Sequence, residues 1–202
     1  MTNDQYRALP RYSNSDLTAY MDWRYNQFKP APIQNAFAVG STLHQLVLEP
    51  HIKTSLHGLD AERIGGMMKA AKANPTLAWA LQWGVKERPI LWECTESGLP
   101  LKAKLDILYK NQIVYDLKTT SASSQKSFLS HFQDFGYDRQ AAFYLDAAQA
   151  KRFVFVAVQK KTDEVWVIEA PAEIISEGRK KYKKILTEIK KTGWMPEKWK
   201  NQ

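Results

Sequence analysis

Asp106, Asp116 and Lys118 are the residues of this chain whose types and spacing could do chemistry. Asp116 and Lys118 close the segment IVYDLKTT, which begins like a core strand. Alternation along a strand sends both side chains to one face and Leu117 to the other. A buried carboxylate and ammonium are costly unless they are paired or employed. Employed, two carboxylates and a lysine are the parts needed for metal-assisted hydrolysis of a phosphodiester. The carboxylates would supply hard oxygen ligands to Mg2+, which polarises the phosphoryl group and lowers the pKa of a bound water. The lysine would hold the attacking water or neutralise charge developing on the phosphate. Merely paired, Asp116 and Lys118 tie off a strand end, and so short a motif leaves both readings open.

Whether Asp106 joins them depends on a turn. From Lys86 the pattern is extended: ERPILWEC, the turn TESG, LPLKAKLDILY, the turn KNQ, then IVYDLKT. This predicts an antiparallel meander, in which cross-strand partners keep a constant sum of residue numbers. If Tyr109 and Ile113 close a three-residue loop, Asp106 lies opposite Asp116; a two-residue loop at Lys110 and Asn111 pairs Asp106 with Tyr115 and turns it away. The apolar pattern favours the first register. It places Leu101, Ala103, Leu105, Ile107 and Tyr109 on one face, matched by Ile113, Tyr115 and Leu117.

Helices must frame this meander. Ser13 and Asp16 resemble a capping box, so a helix is expected from Asn14 to Tyr25, with Pro30 and Pro32 breaking the chain after it. A second runs from Gln34 to Leu48, with Phe37, Gly40, Leu43, His44 and Val47 at helical spacing before Pro50. A third covers residues 60–83 and is interrupted or kinked near Asn74 and Pro75. After the meander, helices are expected over 124–134 and 137–150, with Gln140 and Tyr144 one turn apart on a shared face. The strands RFVFVAVQ and EVWVIEA follow. A helix over 172–191 then buries Ile174, Ile175, Tyr182, Ile185, Leu186 and Ile189 and carries lysines on its other face.

Composition bounds the possibilities. A chain of 202 residues, 44% hydrophobic, can build one well-packed core, here read as a helical part (1–85), a sheet with helices (86–170) and a basic tail (171–202). The sequence contains neither an apolar run long enough to span a bilayer nor a secretion signal at its start, which predicts a cytoplasmic protein without membrane contact. The lone Cys94 cannot close an intramolecular disulfide or hold an iron-sulfur cluster, so any metal must sit on oxygen or imidazole. A net charge of +8 suits a polyanionic partner, although lysine runs such as GRKKYKKILTEIKK serve equally as a solvated helix face.

Three stretches in order, GSTLHQLVLEP, LKAKLDILYKNQIVYDLKTT and YDRQAAFYLDA, resemble the PD-(D/E)XK nuclease superfamily. The resemblance is closest to its RecE-like (exodeoxyribonuclease VIII-type) phage and prophage exonucleases and its RecB-type branch, and it covers most of the chain. It implies an α/β fold with a mixed central sheet flanked by helices. It also implies a Mg2+ site, with Mn2+ as a substitute, formed by Asp106 and Asp116 with His44 and an upstream carboxylate. Glu87 is the best match for that carboxylate and Glu93 the competitor. Lys118 becomes catalytic, while Thr119, Gln140 and Tyr144 become substrate-binding residues. Leu105 stands where the signature has proline. The implied activity is exonucleolytic degradation of DNA, 5′ to 3′ from duplex ends, in phage-type recombination. A single-strand annealing protein is an implied partner and a homo-oligomeric ring an implied assembly. The rivals are a nuclease for single strands or flaps and a non-catalytic DNA-binding scaffold.

Overall fold

The computed structural model describes residues 1–25, 34–56 and 58–199; the expected break at Pro30 and Pro32 lies outside them. The β-branched and aromatic runs form a five-stranded sheet in sequence order, β1 (Val85–Glu93), β2 (Pro100–Tyr109), β3 (Ile113–Thr120), β4 (Arg152–Gln159) and β5 (Val165–Glu169). β1, β2 and β3 form the expected antiparallel meander, β3 and β4 run parallel, and β5 returns antiparallel, which makes the sheet mixed. The parallel step is made by a crossover through α6 (Gln125–Ser130) and α7 (Tyr137–Ala148).

The remaining helices are α1 (Asn3–Ala8), α2 (Asn14–Tyr25), α3 (Gln34–Leu48), α4 (Ala61–Ala73), α5 (Pro75–Trp83) and α8 (Ala172–Thr192). The interruption at Asn74 is complete. Its backbone caps the end of α4, and its side chain accepts from the Leu77 amide, 3.1 Å, to start α5 behind Pro75. The expected helix over 124–134 stops at Ser130, and turns carry the chain to Gly136. Along α8, Ile175, Tyr182, Ile185, Leu186 and Ile189 are buried, whereas Ile174 is only half-buried.

The single core expected is two apolar layers, because a sheet covered by helices on both sides has two faces to bury. On one face Leu101, Ala103, Leu105, Phe153 and Phe155 pack with residues of α7 and α8. On the other, Ile107, Tyr115, Leu117, Val154 and Val156 pack with Leu43 and Val47 of α3, Met67 of α4 and Leu77 of α5. The predicted common face for Leu101 through Tyr109 therefore fails between Leu105 and Ile107. Its cause lies in the neighbouring strand: pairing runs from Val85↔Leu108 to Lys86↔Ile107, omits one step, and resumes at Arg88↔Leu105. Glu87, at the omitted step, has φ 52°, a left-handed conformation that breaks the two-residue repeat. Asp106, opposite it, marks where β2 changes sides.

The short helix α1 was not foreseen, although Thr2 and Gln5 form a full capping box. It is fastened by Lys102, a buried lysine whose ammonium donates to the carbonyls of Tyr6, Arg7 and Leu9 at 2.8–3.1 Å. Burial holds the Lys102 pKa below its ordinary value. Three carbonyls at a helix end nonetheless give the cation the negative potential it needs. Lys102→Met should lower unfolding stability by about 2–3 kcal/mol, the scale of lost charged hydrogen bonds. Chemical denaturation checks this, and amide exchange should quicken in residues 3–9 first.

Candidate active site

β2 and β3 pair only from Tyr109↔Ile113 to Ile107↔Tyr115, which is the register of the three-residue loop. One step further that register sets Asp106 opposite Asp116, but pairing has ended there while β3 continues along β4 to Thr120. The Leu117 N–H donates to Asp106 Oδ2, 2.7 Å, in place of a β2 carbonyl. A cavity of about 1210 Å³ lies at this opening.

Helix α3 forms one wall of that cavity. Gly40 makes its close approach possible, since a Cβ there would lie 3.3 Å from Thr119 Oγ1, and Thr119 lines the cavity. One turn further, His44 Nε2 lies 2.5 Å from the Leu117 carbonyl, and Nδ1 lies 3.5 Å from Asp106 Oδ2. A carbonyl only accepts, so Nε2 donates to Leu117 and Nδ1 is the nitrogen that faces the Asp106 carboxylate. The Asp106 side chain is 15% exposed. Burial pushes its pKa up to about 6; the nearby Asp116 charge adds to this, while His44 and Lys118 oppose it.

Asp116 and Lys118 are indeed a pair. Lys118 Nζ lies 2.6 Å from Asp116 Oδ2, with side chains 14% and 2% exposed. The approach is off the hydrogen-bonding direction, so Oδ2 remains a buried acceptor without a proper donor. Burial opposes the Lys118 ammonium, but Asp116 and Asp106 outweigh it and hold its pKa above the ordinary value. The ring of Tyr137 lies 5.1 Å from Nζ. The other carboxylate oxygen, Asp116 Oδ1, accepts from Gln140 Nε2 at 3.3 Å.

The segment YDRQAAFY divides its labour around α7. Tyr137, Gln140 and Tyr144 recur at helical spacing on the side toward Asp116. Burial raises the Tyr144 pKa, and the neighbouring Gln140 opposes that rise. Neither lines the cavity, nor does the buried Asp116 itself; Gln140 is placed to orient that carboxylate, and Tyr137 does line the cavity. Asp138 and Arg139 hold neighbouring helices instead. Asp138 pairs with Lys181 of α8 at 2.5 Å, and Arg139 bonds Asn14 and Thr18 of α2.

Glu87 lines the same cavity and is ion-paired with Lys104, which also donates to Asn3 Oδ1 at 2.6 Å. Glu93 is exposed near the opposite end of the β1–β2 ladder, away from the cavity. Glu49, just past α3, and Arg7 of α1 also line the cavity and were missed, because nothing local marks a residue after a helix end as facing a strand. Tyr137 was missed too, although its spacing from Gln140 could have revealed it.

A mixed sheet whose antiparallel pair opens on two carboxylates and a lysine, with helices on both faces, is the arrangement of the PD-(D/E)XK fold. The chain belongs to the PDDEXK-like domain family of unknown function (DUF3799), whose profile matches residues 13–198. Among solved structures, a candidate exonuclease from Eubacterium rectale is similar at 17% identity and a TM-score of 0.68, over 96% of this chain and 87% of that one. A phage-related exonuclease from Haemophilus somnus 129PT is similar only weakly, at 11% identity and a TM-score of 0.41, over 94% and 100% of the two chains. No curated protein matches the sequence.

Proposed function

We propose that the chain is a divalent-metal-dependent deoxyribonuclease that degrades linear DNA exonucleolytically. The observation that carries this reading is the meeting of Asp106, Asp116 and Lys118 where β2 and β3 stop pairing: Asp106 and Lys118 line one cavity with Thr119 and the cations Arg7 and Lys160, and Asp116 is buried against Lys118 just behind that lining. The exonuclease designation of the Eubacterium rectale protein supports it. Polarity from 5′ to 3′ on duplex ends, an annealing partner and a ring-shaped assembly rest on the sequence resemblance alone.

The residues fit a divalent cation. Asp116 Oδ2 is a buried anionic acceptor lacking a proper donor, and Asp106 is a carboxylate whose charge burial disfavours. Among the described residues, no three His, Cys, Asp or Glu side chains gather closely enough to cage an ion. Two carboxylates completed by water and substrate phosphate suit Mg2+, with Mn2+ as a substitute, and His44 Nδ1 is available beside Asp106. When bound, the ion would polarise the phosphoryl group and lower the pKa of a water. Lys118, kept charged by its carboxylates, would hold the attacking water or a phosphate oxygen, and Thr119 would donate to the phosphate. Gln140 would keep Asp116 in position, with Tyr144 behind it.

Purified protein with end-labelled linear duplex, with and without Mg2+, tests this. Metal-dependent release of the 5′ label ahead of the 3′ label is expected. DNA that is bound but uncut at any metal concentration would leave only the scaffold rival, and earlier release of the 3′ label would reverse the polarity.

The raised Asp106 pKa also gives a pH dependence. In the metal-free protein the folded state holds this proton at pH values where the unfolded chain has lost it, so stability from this group falls as pH rises from about 4 to about 6. Metal binding runs the other way, because the ion needs the carboxylate. Apparent Mg2+ affinity should weaken about tenfold between pH 7 and pH 5, measured by calorimetry. Equal affinity at both values would remove Asp106 from the ligand set.

A further inference from the structure

Phe37 on α3 and Phe135 in the turn before α7 are 67% and 65% exposed, and both line the cavity that contains Lys118. Phe135 is the outer end of a row of rings. It lies 5.5 Å from Tyr137, the two rings tilted by 30°, and Tyr137 in turn lies over Lys118 Nζ; His131 stands 6.1 Å from Phe135. Buried Phe128 and Phe132 support Tyr137 from below. Gly136, at φ 66°, makes the left-handed bend between Phe135 and α7.

Flat apolar rings add nothing to phosphate binding, which Lys118, Thr119 and Arg7 can supply. They match the flat faces of nucleobases, and inside a duplex those faces are covered by neighbouring pairs. A base can stack on a protein ring only where its strand is unpaired. We propose that Phe135 and Tyr137, with Phe37 on the α3 wall, form a stacking site for unpaired bases of the strand being cut. The substrate at the moment of cleavage is then a single strand, supplied as such or drawn from a frayed duplex end. This rests on the nuclease reading above and names the form of DNA that its site accepts.

The test measures binding in metal-free buffer, where the proposed cleavage cannot intervene. The probes are a single-stranded oligonucleotide containing 2-aminopurine and a blunt, GC-rich duplex of equal length. Phe135→Ala should weaken single-strand binding about tenfold and abolish quenching of the 2-aminopurine, while duplex binding stays within about twofold. Phe135→Trp should restore both signals, and Phe135→Leu, apolar but without a ring, should restore neither. An unchanged melting temperature excludes misfolding. Single-strand binding by Phe135→Ala within about twofold of wild type, or an equal loss on duplex, overturns the stacking site even if the wild type cuts DNA. Wild-type protein that neither binds nor cuts either DNA overturns the nuclease reading, and the stacking site with it.

Discussion

Asp116→Asn is expected to lower DNA cleavage by at least about a thousandfold at saturating Mg2+, while DNA binding is retained or tightened. The substitution keeps the shape of the side chain and an oxygen for Gln140 to donate to, so the loss is one of charge. That charge is what a divalent ion would bind, and it is also negative charge beside the place for a phosphate. Two measurements on one preparation check the result: single-turnover cleavage of labelled duplex, and the rise in melting temperature on adding Mg2+. The variant should lose the Mg2+-dependent rise as well as the activity. Full cleavage by Asp116→Asn would remove this carboxylate from the reaction.

Lys118→Ala is expected to lower turnover by about a hundredfold or more, the usual result of removing one electrostatic stabiliser. The structure adds a second consequence. Lys118 is paired with a carboxylate whose side chain is 2% exposed, so its removal leaves Asp116 buried with only Gln140 as a donor. Breaking a buried pair from one side costs on the order of 3 kcal/mol of folding stability. A divalent ion supplies the missing positive charge, so Mg2+ should return the melting temperature close to the wild-type value in the same buffer. It should not return the rate, because an ion on the carboxylates cannot stand in for an ammonium acting on water or phosphate. A variant whose rate recovers together with its stability would show that Lys118 is a structural partner only.

Much of the fold was legible in the sequence. Capping and apolar spacing placed α2 and α3 at the bounds observed, and turn residues placed the meander and the register through Tyr109↔Ile113. These are signals carried by residues within a few positions of one another, where helix and strand periods act directly. The D-x-K spacing likewise sends Asp116 and Lys118 to one face of any strand, and there they are found as a pair.

What the tertiary structure decided concerns partners distant in sequence. Nothing in β2 itself marks Asp106 as the point where the strand changes faces; that follows from Glu87, in left-handed conformation on β1. Helical spacing puts Gln140 and Tyr144 on one side of α7, but only the packing of α7 on the sheet sets them behind Asp116 rather than at the cavity. The same holds for Arg139, whose partners Asn14 and Thr18 on α2 only the tertiary structure supplies. Period and propensity fix which face of an element a residue occupies. Which element that face meets is set by burying two apolar layers at once, a choice made by the whole chain together.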